Sequence, residues 1–184
     1  EKLLCQIPAS FLGEKFMLST SFSGGGFFTG FPLEETVVQW QMHEKQLVLI
    51  QPETSFITDE KNTVSDVVRR TYPDKIRAAV PIVTKSSSGD PLVDLGVLLK
   101  SSFADIAWMS LMDDGPMMMR GRVNPQLSKW TKKKTFELNV EIGVELAINR
   151  MSPPGSFDKK QVHFSFWKLP QSDYEPRVAD DRVG

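Results

Sequence analysis

Cysteine and histidine are scarce in this sequence: its 184 residues include one cysteine, Cys5, and two histidines, His43 and His163. A single cysteine excludes an internal disulfide framework and a multi-cysteine zinc site. Lysine and arginine together number 22 and the acids 23, a net charge of −1 that argues against nucleic acid or an anionic membrane as the default partner. No apolar run approaches the roughly 18 residues of a membrane span. The composition is that of an ordinary globular chain.

The chain opens directly on a strand-like run, without an initiator methionine or the charged and apolar stretches of a signal peptide. We therefore expect an excerpt of a longer protein, whose export signal, if it has one, was removed or lies upstream.

Short β-type runs separated by turn residues make up the first half of the chain. Residues 2–7 and 15–22 predict strands, and residues 9–13 between them predict one helical turn closed by glycine. Residues 36–42 and 46–51 have the spacing of a hairpin with a short loop.

Two helices are predicted, one strongly. Residues 62–72 start with cap-type residues, carry an apolar stripe through Val64, Val67 and Val68, and stop before Pro73. A second helix is predicted over residues 96–108. Between them, residues 76–84 read as a strand whose Pro81 removes a ladder donor, which predicts an edge strand or a bulge.

The clearest alternation of apolar and polar residues covers residues 134–149, which predicts one long strand, buried on one face and wet on the other. Residues 161–169 return as its antiparallel partner, with His163, Ser165 and Trp167 on the non-core face. The fold class is therefore mainly β, with antiparallel sheet and one or two short helices in a single domain.

The most distinctive loop is glycine-rich and aromatic, and we name residues 24–31 the glycine–phenylalanine loop. It lacks the Lys-Ser/Thr pair and the following helix that a phosphate loop requires. A surface loop that contacts a ligand or partner is the better interpretation. Its candidate contact residues are Gly24, Gly25, Gly26, Phe27, Phe28 and Phe31.

Other chemistry-bearing residues favour structural roles. The two histidines lack the spacing of a zinc set, and Cys5 in an opening strand reads as a small buried hydrophobe. The methionines between Met109 and Met119 favour packing or partner contact over copper binding. Hydrolysis by a carboxylate pair such as Asp90 and Asp94 is the weakest alternative.

Residues 129–134 combine lysines with Trp130, as a platform for single-stranded nucleic acid would. Because acidic residues elsewhere in the chain cancel the positive electrostatic field of these lysines, we favour the interpretation that the lysines protect a strand edge from aggregation.

The last segment, residues 174–184, is polar and irregular, and we expect it to need partners to become ordered. We divide the chain into a β-rich domain, residues 1–173, and this junction segment.

A resemblance is carried by the ending Tyr174-x-Pro176-Arg177-x-x-Asp180-x-Arg182-x-Gly184 and by shorter matches across the chain. These matches are Ile7-Pro8, Leu12-Gly13, Ser19-Thr20-Ser21 before the three glycines, Val38-x-Trp40, Arg69-Arg70-Thr71-Tyr72, Ala79-Val80-Pro81-Ile82 and Val93-Asp94-Leu95. Together they resemble the N-terminal domain of unknown function, DUF5117-like, of large bacterial zinc-dependent metalloproteases.

The resemblance implies a non-catalytic domain without a metal or cofactor of its own. In that family the zinc-binding His-Glu-x-x-His helix lies downstream, so no catalytic or zinc-binding role passes to any residue here. The implied partner is the protein's own C-terminal catalytic domain, with peptide substrate nearby, in an extracytoplasmic location (periplasm, cell surface or medium). By hypothesis Tyr174, Arg177, Asp180 and Arg182 lie at the interdomain contact, where guanidinium groups pair with carboxylates or carbonyls.

The alternative is a free-standing extracytoplasmic module that binds a peptide or carbohydrate through the glycine–phenylalanine loop. Under the accessory-domain hypothesis, a fragment cut at Gly184 is expected to expose apolar surface that the missing domain normally covers, and to self-associate through it.

Overall fold

The computed structural model describes residues 1–56, 63–106, 121–150, 153–170 and 173. In these ranges the strands are β1 (Leu4–Gln6), β2 (Lys15–Gly24), β3 (Pro32–His43), β4 (Gln46–Gln51), β5 (Lys75–Lys85), β6 (Pro91–Asp94), β7 (Val123–Thr135), β8 (Asn139–Asn149) and β9 (Phe157–Lys168). The helices are α1 (Val64–Thr71) and α2 (Gly96–Leu99), with single 3₁₀ turns at Ala9–Phe11 and Ser102–Ala104.

The nine strands form one sheet in the order β1-β6-β5-β4-β3-β2-β9-β8-β7, and every neighbouring pair is antiparallel. The sheet curls into a half-barrel, with β1 and β7 as its two edges. The predicted mainly antiparallel β class with short helices is confirmed.

The core lies on the inner face of the curled sheet. Alternate residues of the central strands point to that face, as the two-residue period of a strand requires. They include Phe16, Leu18, Val38, Trp40, Ile142, Val144, Leu146, Ile148, Val162 and Phe164. The segment from α2 to the second 3₁₀ turn packs against them through Leu98, Leu99 and Ile106. Burial of these side chains is the main stabilising term, at about 25 cal/mol per Å².

The predicted strand over residues 134–149 is wrong at its start. Lys134 and Thr135 end β7, residues 136–138 turn, and β8 begins at Asn139, with the Phe136 amide donating to the Asn139 carbonyl at 2.8 Å. The alternation runs unbroken through this turn because its apolar residues are exposed at the rim rather than buried in the core.

The outer face of β8 is also less exposed to solvent than predicted, because long side chains from β7 cover it. Glu141 and Gly143 are buried there, and a Cβ at Gly143 would meet Thr131 Oγ1 and Lys132 Cβ. The predicted antiparallel pairing of β8 with β9 is confirmed over eleven residue pairs.

Helix α1 forms where predicted, but its apolar stripe is not buried. Val67 is 62% exposed, and within the helix only Ser65 is buried. The predicted helix over residues 96–108 is wrong from Lys100 to Ile106, because the Ser101 hydroxyl accepts a hydrogen bond from the Phe103 amide and starts a 3₁₀ turn. Residues 107 and 108 lie outside the described residues.

Pro81 lies in an interior strand, so the edge alternative is wrong. The strand has irregular pairing at Arg77 and at Val83, as the bulge alternative predicts, although neither irregularity falls on Pro81 itself. Pro81 opposes Gln46, the first residue of β4, and pairing with β6 begins at Ile82. Register shifts occur on both sides of it. The missing N–H therefore falls where one ladder ends and the next begins.

The antiparallel strands give the sheet two distinct ends. One, which we call the loop end, carries the glycine–phenylalanine loop between β2 and β3. The opposite one, the turn end, carries the two-residue turn after His43 and the β7–β8 turn. Phe16 and Gly24 are at opposite ends of β2, about 26 Å apart at about 3.3 Å per residue.

Candidate functional site

An apolar cavity of about 300 Å³ opens at the turn end, and we call it the mouth. One wall comes from β1 and the first 3₁₀ turn, and the other from the β7–β8 turn. Its lining includes Cys5, Gln6, Ile7, Pro8, Phe11, Phe16, Trp40, Leu95, Phe136, Glu137, Leu138, Asn139, Val140, Ile142, Phe166, Trp167 and Lys168. The volume is at the lower limit of small-ligand and side-chain pockets.

The mouth lies where the edge strands β1 and β7 are not joined by backbone pairing within the described part of the chain. Along the seam between the edge strands, the Trp130 indole N–H donates to the Glu1 carbonyl at 3.2 Å. Lys133 Nζ donates to Glu1 Oε1 at 2.8 Å. Side chains thus bridge one part of the seam, and the part beside Cys5 and Leu138 stays open.

Large apolar side chains stand on the rim of the mouth. Leu138 is 64% exposed, Trp167 50% and Phe136 45%. Glu137 and Lys168 are the charged residues of the lining. The sequence pattern showed Phe136 and Leu138 as apolar positions but assigned them to the core face of a strand, so the rim was missed.

Cys5 lies in the wall of the mouth, half-buried. Burial raises the pKa of its thiol above the ordinary value, because a thiolate is poorly solvated there. The interpretation of Cys5 as a small hydrophobic residue agrees with this position.

The glycine–phenylalanine loop is at the opposite end of the sheet. Phe27 is 88% exposed at its tip, and the Phe28 ring meets those of Phe27 and Phe31 edge-on at 5.5 and 6.1 Å. Gly25 and Gly30 have positive φ angles of 91° and 94°.

Phe31 also borders a recess of about 350 Å³. Its charged lining residues are Arg77, Glu34 and Asp105. Arg77 donates to both carboxylate oxygens of Glu34 at 2.6 and 2.7 Å and to Gln51 Oε1 at 3.0 Å, so its guanidinium group is already engaged within the chain.

A polar cluster that the sequence did not reveal lies on the outer face of β8 and β9. Glu141 Oε1 accepts hydrogen bonds from the Ser165 hydroxyl at 2.5 Å and from Asn139 Nδ2 at 2.6 Å. Glu141 Oε2 contacts His163 Nε2 and lies 3.9 Å from Lys132 Nζ. Burial opposes ionisation of Glu141, but the hydrogen bond from Ser165 and the charges of His163 and Lys132 outweigh it and lower its pKa.

This cluster has the residue types of a serine hydrolase but not the geometry. In a catalytic triad the histidine stands between the nucleophile and the acid. Here Glu141 stands between Ser165 and His163, so the hydroxyl of the buried Ser165 donates its hydrogen bond to the carboxylate, and the imidazole contacts the carboxylate rather than the hydroxyl. The arrangement ties the two strands together.

Asp90 and Asp94 serve the local backbone. Asp90 accepts hydrogen bonds from the Ala9 amide and the Gln6 side chain, both at 2.8 Å, and these lower its pKa. Asp94 accepts from the amides of Leu3 and Gly96. Asp90 directly precedes β6 and Asp94 ends it, which separates their Cα atoms by about 13 Å, too far for one carboxylate pair.

The lysine-rich residues lie on β7, an edge strand of the sheet, as the edge-guard interpretation requires. The Trp130 ring is already covered by Lys100 Nζ at 4.5 Å, and Lys134 Nζ lies 4.8 Å from the centre of the Phe136 ring.

Within the ranges that the structure describes, no three His, Cys, Asp or Glu side chains group as metal ligands, and no helix has the length and apolar character to cross a bilayer. His43 is exposed at the end of β3. The methionines of residues 109–119 and the contact candidates Tyr174, Arg177, Asp180 and Arg182 lie outside the described residues.

A family model described as "Domain of unknown function (DUF5117)" matches residues 30–184. No curated protein and no solved structure matches the chain.

Proposed function

The chain belongs to the DUF5117 family of domains, and we propose that it is a non-catalytic accessory domain of an exported zinc-dependent metalloprotease. In this proposal it packs through the mouth on the catalytic domain of the same protein and helps to shape the cleft that takes peptide substrate. The zinc belongs to that second domain.

The observation that carries the proposal is the rim of large exposed apolar side chains around an apolar cavity. Phe136, Leu138 and Trp167 expose between 45% and 64% of their surface on one rim. Exposed apolar clusters of this kind are typical of surfaces that a partner covers.

The chain path supports a partner in the same polypeptide. Lys168 lines the mouth and ends β9, and the chain continues from there to Gly184. A domain that follows is therefore tethered beside the rim, which raises its effective concentration there. In the proposal Tyr174, Arg177, Asp180 and Arg182 complete this contact.

The non-catalytic part of the proposal is supported by how the reactive groups are used. Asp90, Asp94 and Glu141 each accept hydrogen bonds that organise local backbone or neighbouring strands. Ser165 is buried and donates to Glu141 rather than to a histidine, and burial raises the pKa of the Cys5 thiol.

The first test is to read the coding sequence beyond the codon for Gly184. A His-Glu-x-x-His codon series within the following few hundred codons is the expected result. A stop codon soon after Gly184 would contradict the proposal and leave a free-standing module.

A second test uses the full-length protein. Leu138→Glu places a charge on the rim and should expose the connection after Lys168 to limited proteolysis. Val83→Glu, at an exposed strand position that does not line the mouth, is the matched control and should leave digestion unchanged. Equal resistance of both variants would contradict docking through the mouth.

The junction contact is tested separately with the catalytic region as bait. It should retain a chain of residues 1–184 better than one of residues 1–173. Equal retention would show that the four contact candidates contribute nothing.

A further inference from the structure

The tip of the glycine–phenylalanine loop is embedded in an unusually long uncharged stretch. No Asp, Glu, Lys, Arg or His occurs from residue 16 to residue 33, although charged residues make up 24% of the chain. Lys15 and Glu34 flank this stretch. The tip therefore presents only Phe, Gly and Thr side chains, and no charge of its own opposes its transfer out of water.

The exposed aromatic surface of the loop is greatest at Phe27, and of the three phenylalanines Phe31 borders the recess described above. Phe27 is 88% exposed, and its ring packs only edge-on against Phe28. An apolar side chain that protrudes from a loop can bury only a small part of its surface against a flat protein surface. In an apolar medium, by contrast, all of its surface is removed from water.

The loop also satisfies much of its own hydrogen bonding. The Thr29 amide and hydroxyl both donate to the Gly26 carbonyl, at 3.2 and 2.7 Å, and the Phe31 amide donates to the Phe28 carbonyl at 2.9 Å. The Gly30 amide donates to the Phe22 carbonyl at 2.6 Å. Internally paired polar groups lower the cost of entering an apolar medium. They also leave the only hydroxyl of the loop occupied, which disfavours carbohydrate recognition.

The base of the loop is held firmly by β9. The Gly25 carbonyl accepts a hydrogen bond from Lys160 Nζ at 2.9 Å. Gly25 also packs so closely on the Lys159 backbone that a Cβ at this position would overlap the Lys159 carbonyl. The tip is thus presented in one shape, which reduces the conformational entropy lost on binding.

From these observations we propose that Phe27, Phe28 and Phe31 insert into the interfacial region of a lipid membrane and make the loop a peripheral membrane contact. Because the stretch is uncharged, insertion depends on apolar burial and does not require anionic lipid. This inference is independent of the proposed packing on a catalytic domain, since the loop and the mouth are at opposite ends of the sheet.

The test is flotation of the chain with phosphatidylcholine vesicles, in the absence and presence of phosphatidylglycerol. The chain should float with both, and raising the salt concentration should not release it. The double variant Phe27→Ser/Phe28→Ser should reduce the bound fraction about tenfold or more. Val83→Ser, which removes an exposed apolar side chain from β5, should bind like the parent.

Phe27→Trp provides a second measurement in a protein with the loop intact. Its tryptophan emission should shift to shorter wavelength on adding vesicles, after subtraction of the four native tryptophans. Circular dichroism verifies that each variant is folded.

Three results would overturn the proposal: no flotation with either vesicle, equal binding by the double variant, or binding that requires phosphatidylglycerol and is lost in salt. Retention on an immobilised peptide or glycan that depends on both phenylalanines, without vesicle binding, would assign the loop to that ligand class instead.

Discussion

Replacing Glu141 by glutamine removes one negative charge from the cluster on β8 and β9 while nearly preserving the shape of the side chain. Hydrogen bonds to charged groups are worth about 1.5–3 kcal/mol and those between neutral groups about 0.5–1.5. The bonds from Ser165 and Asn139 should therefore each weaken by about 1 kcal/mol. With the loss of the His163 contact, we expect a decrease of about 2–3 kcal/mol in the free energy of unfolding.

The effect should depend on pH in a defined direction. The pKa of Glu141 in the folded chain lies below the 4.5 of a free glutamate side chain. As the pH falls, the carboxyl is therefore protonated first in the unfolded chain. Its stabilising contribution is complete above pH 4.5 and is lost as the pH falls through the lower folded pKa. The difference between parent and Glu141→Gln should be largest near neutral pH and should shrink below this value.

Urea unfolding, followed by tryptophan fluorescence and circular dichroism, measures this difference. The midpoint of Glu141→Gln should fall by about 1 M at pH 7. Glu145→Gln is the matched control on the same strand, because the Glu145 carboxylate meets only the mostly exposed Lys159 at 3.5 Å. Glu145→Gln should lower the free energy of unfolding by less than about 1 kcal/mol. Equal effects of the two variants, or a difference that does not change with pH, would refute the reasoning.

Three further predictions concern backbone, core and thiol. Gly25→Ala should lower the unfolding temperature more than Gly89→Ala. Both residues have a positive φ, but only Gly25 packs closely against a neighbouring backbone. Equal shifts of the unfolding temperature would contradict this close approach. Phe164→Ala should lower the free energy of unfolding, measured in urea, by about 3–5 kcal/mol because Phe164 is fully buried. Trp167→Ala should lower it much less, and similar losses for the two variants would contradict the assignment of Phe164 to the core. At pH 8, Cys5 should react slowly with iodoacetamide in the folded chain and fast in the chain unfolded by urea, because burial raises the pKa of its thiol. Equal rates in the two states would show an accessible thiolate in the folded chain.

Elements whose signals are local could be predicted well. Residues 46–51 form β4 as expected, and α1 ends before Pro73, because strand period and proline act within a few residues. The apolar stripe of α1 shows the limit of this reasoning. Its spacing is that of a packed helix, yet Val67 is largely exposed, since spacing does not say whether another surface covers the stripe.

The polar cluster was only half visible in the sequence. The alternation already placed Ser165 and His163 on the non-core face of a predicted strand that pairs with β8. Which residue of β8 meets them depends on the register, and Glu141 opposes Ser165 only because of the exact length of the β8–β9 connection. A shift of two residues would preserve every periodicity and remove the cluster.

The sequence by itself determined the class of this protein: mainly antiparallel β, short helices, and an uncharged aromatic loop between two strands. These properties follow from periodicity, turn residues and composition, which act locally along the chain. The tertiary structure decided where the half-barrel stays open, because the mouth is formed by β1 and the β7–β8 turn, more than 100 residues apart. Leu138 and Phe136 repeat with the period of core residues, and only closure of the seam around Glu1 leaves them on a rim.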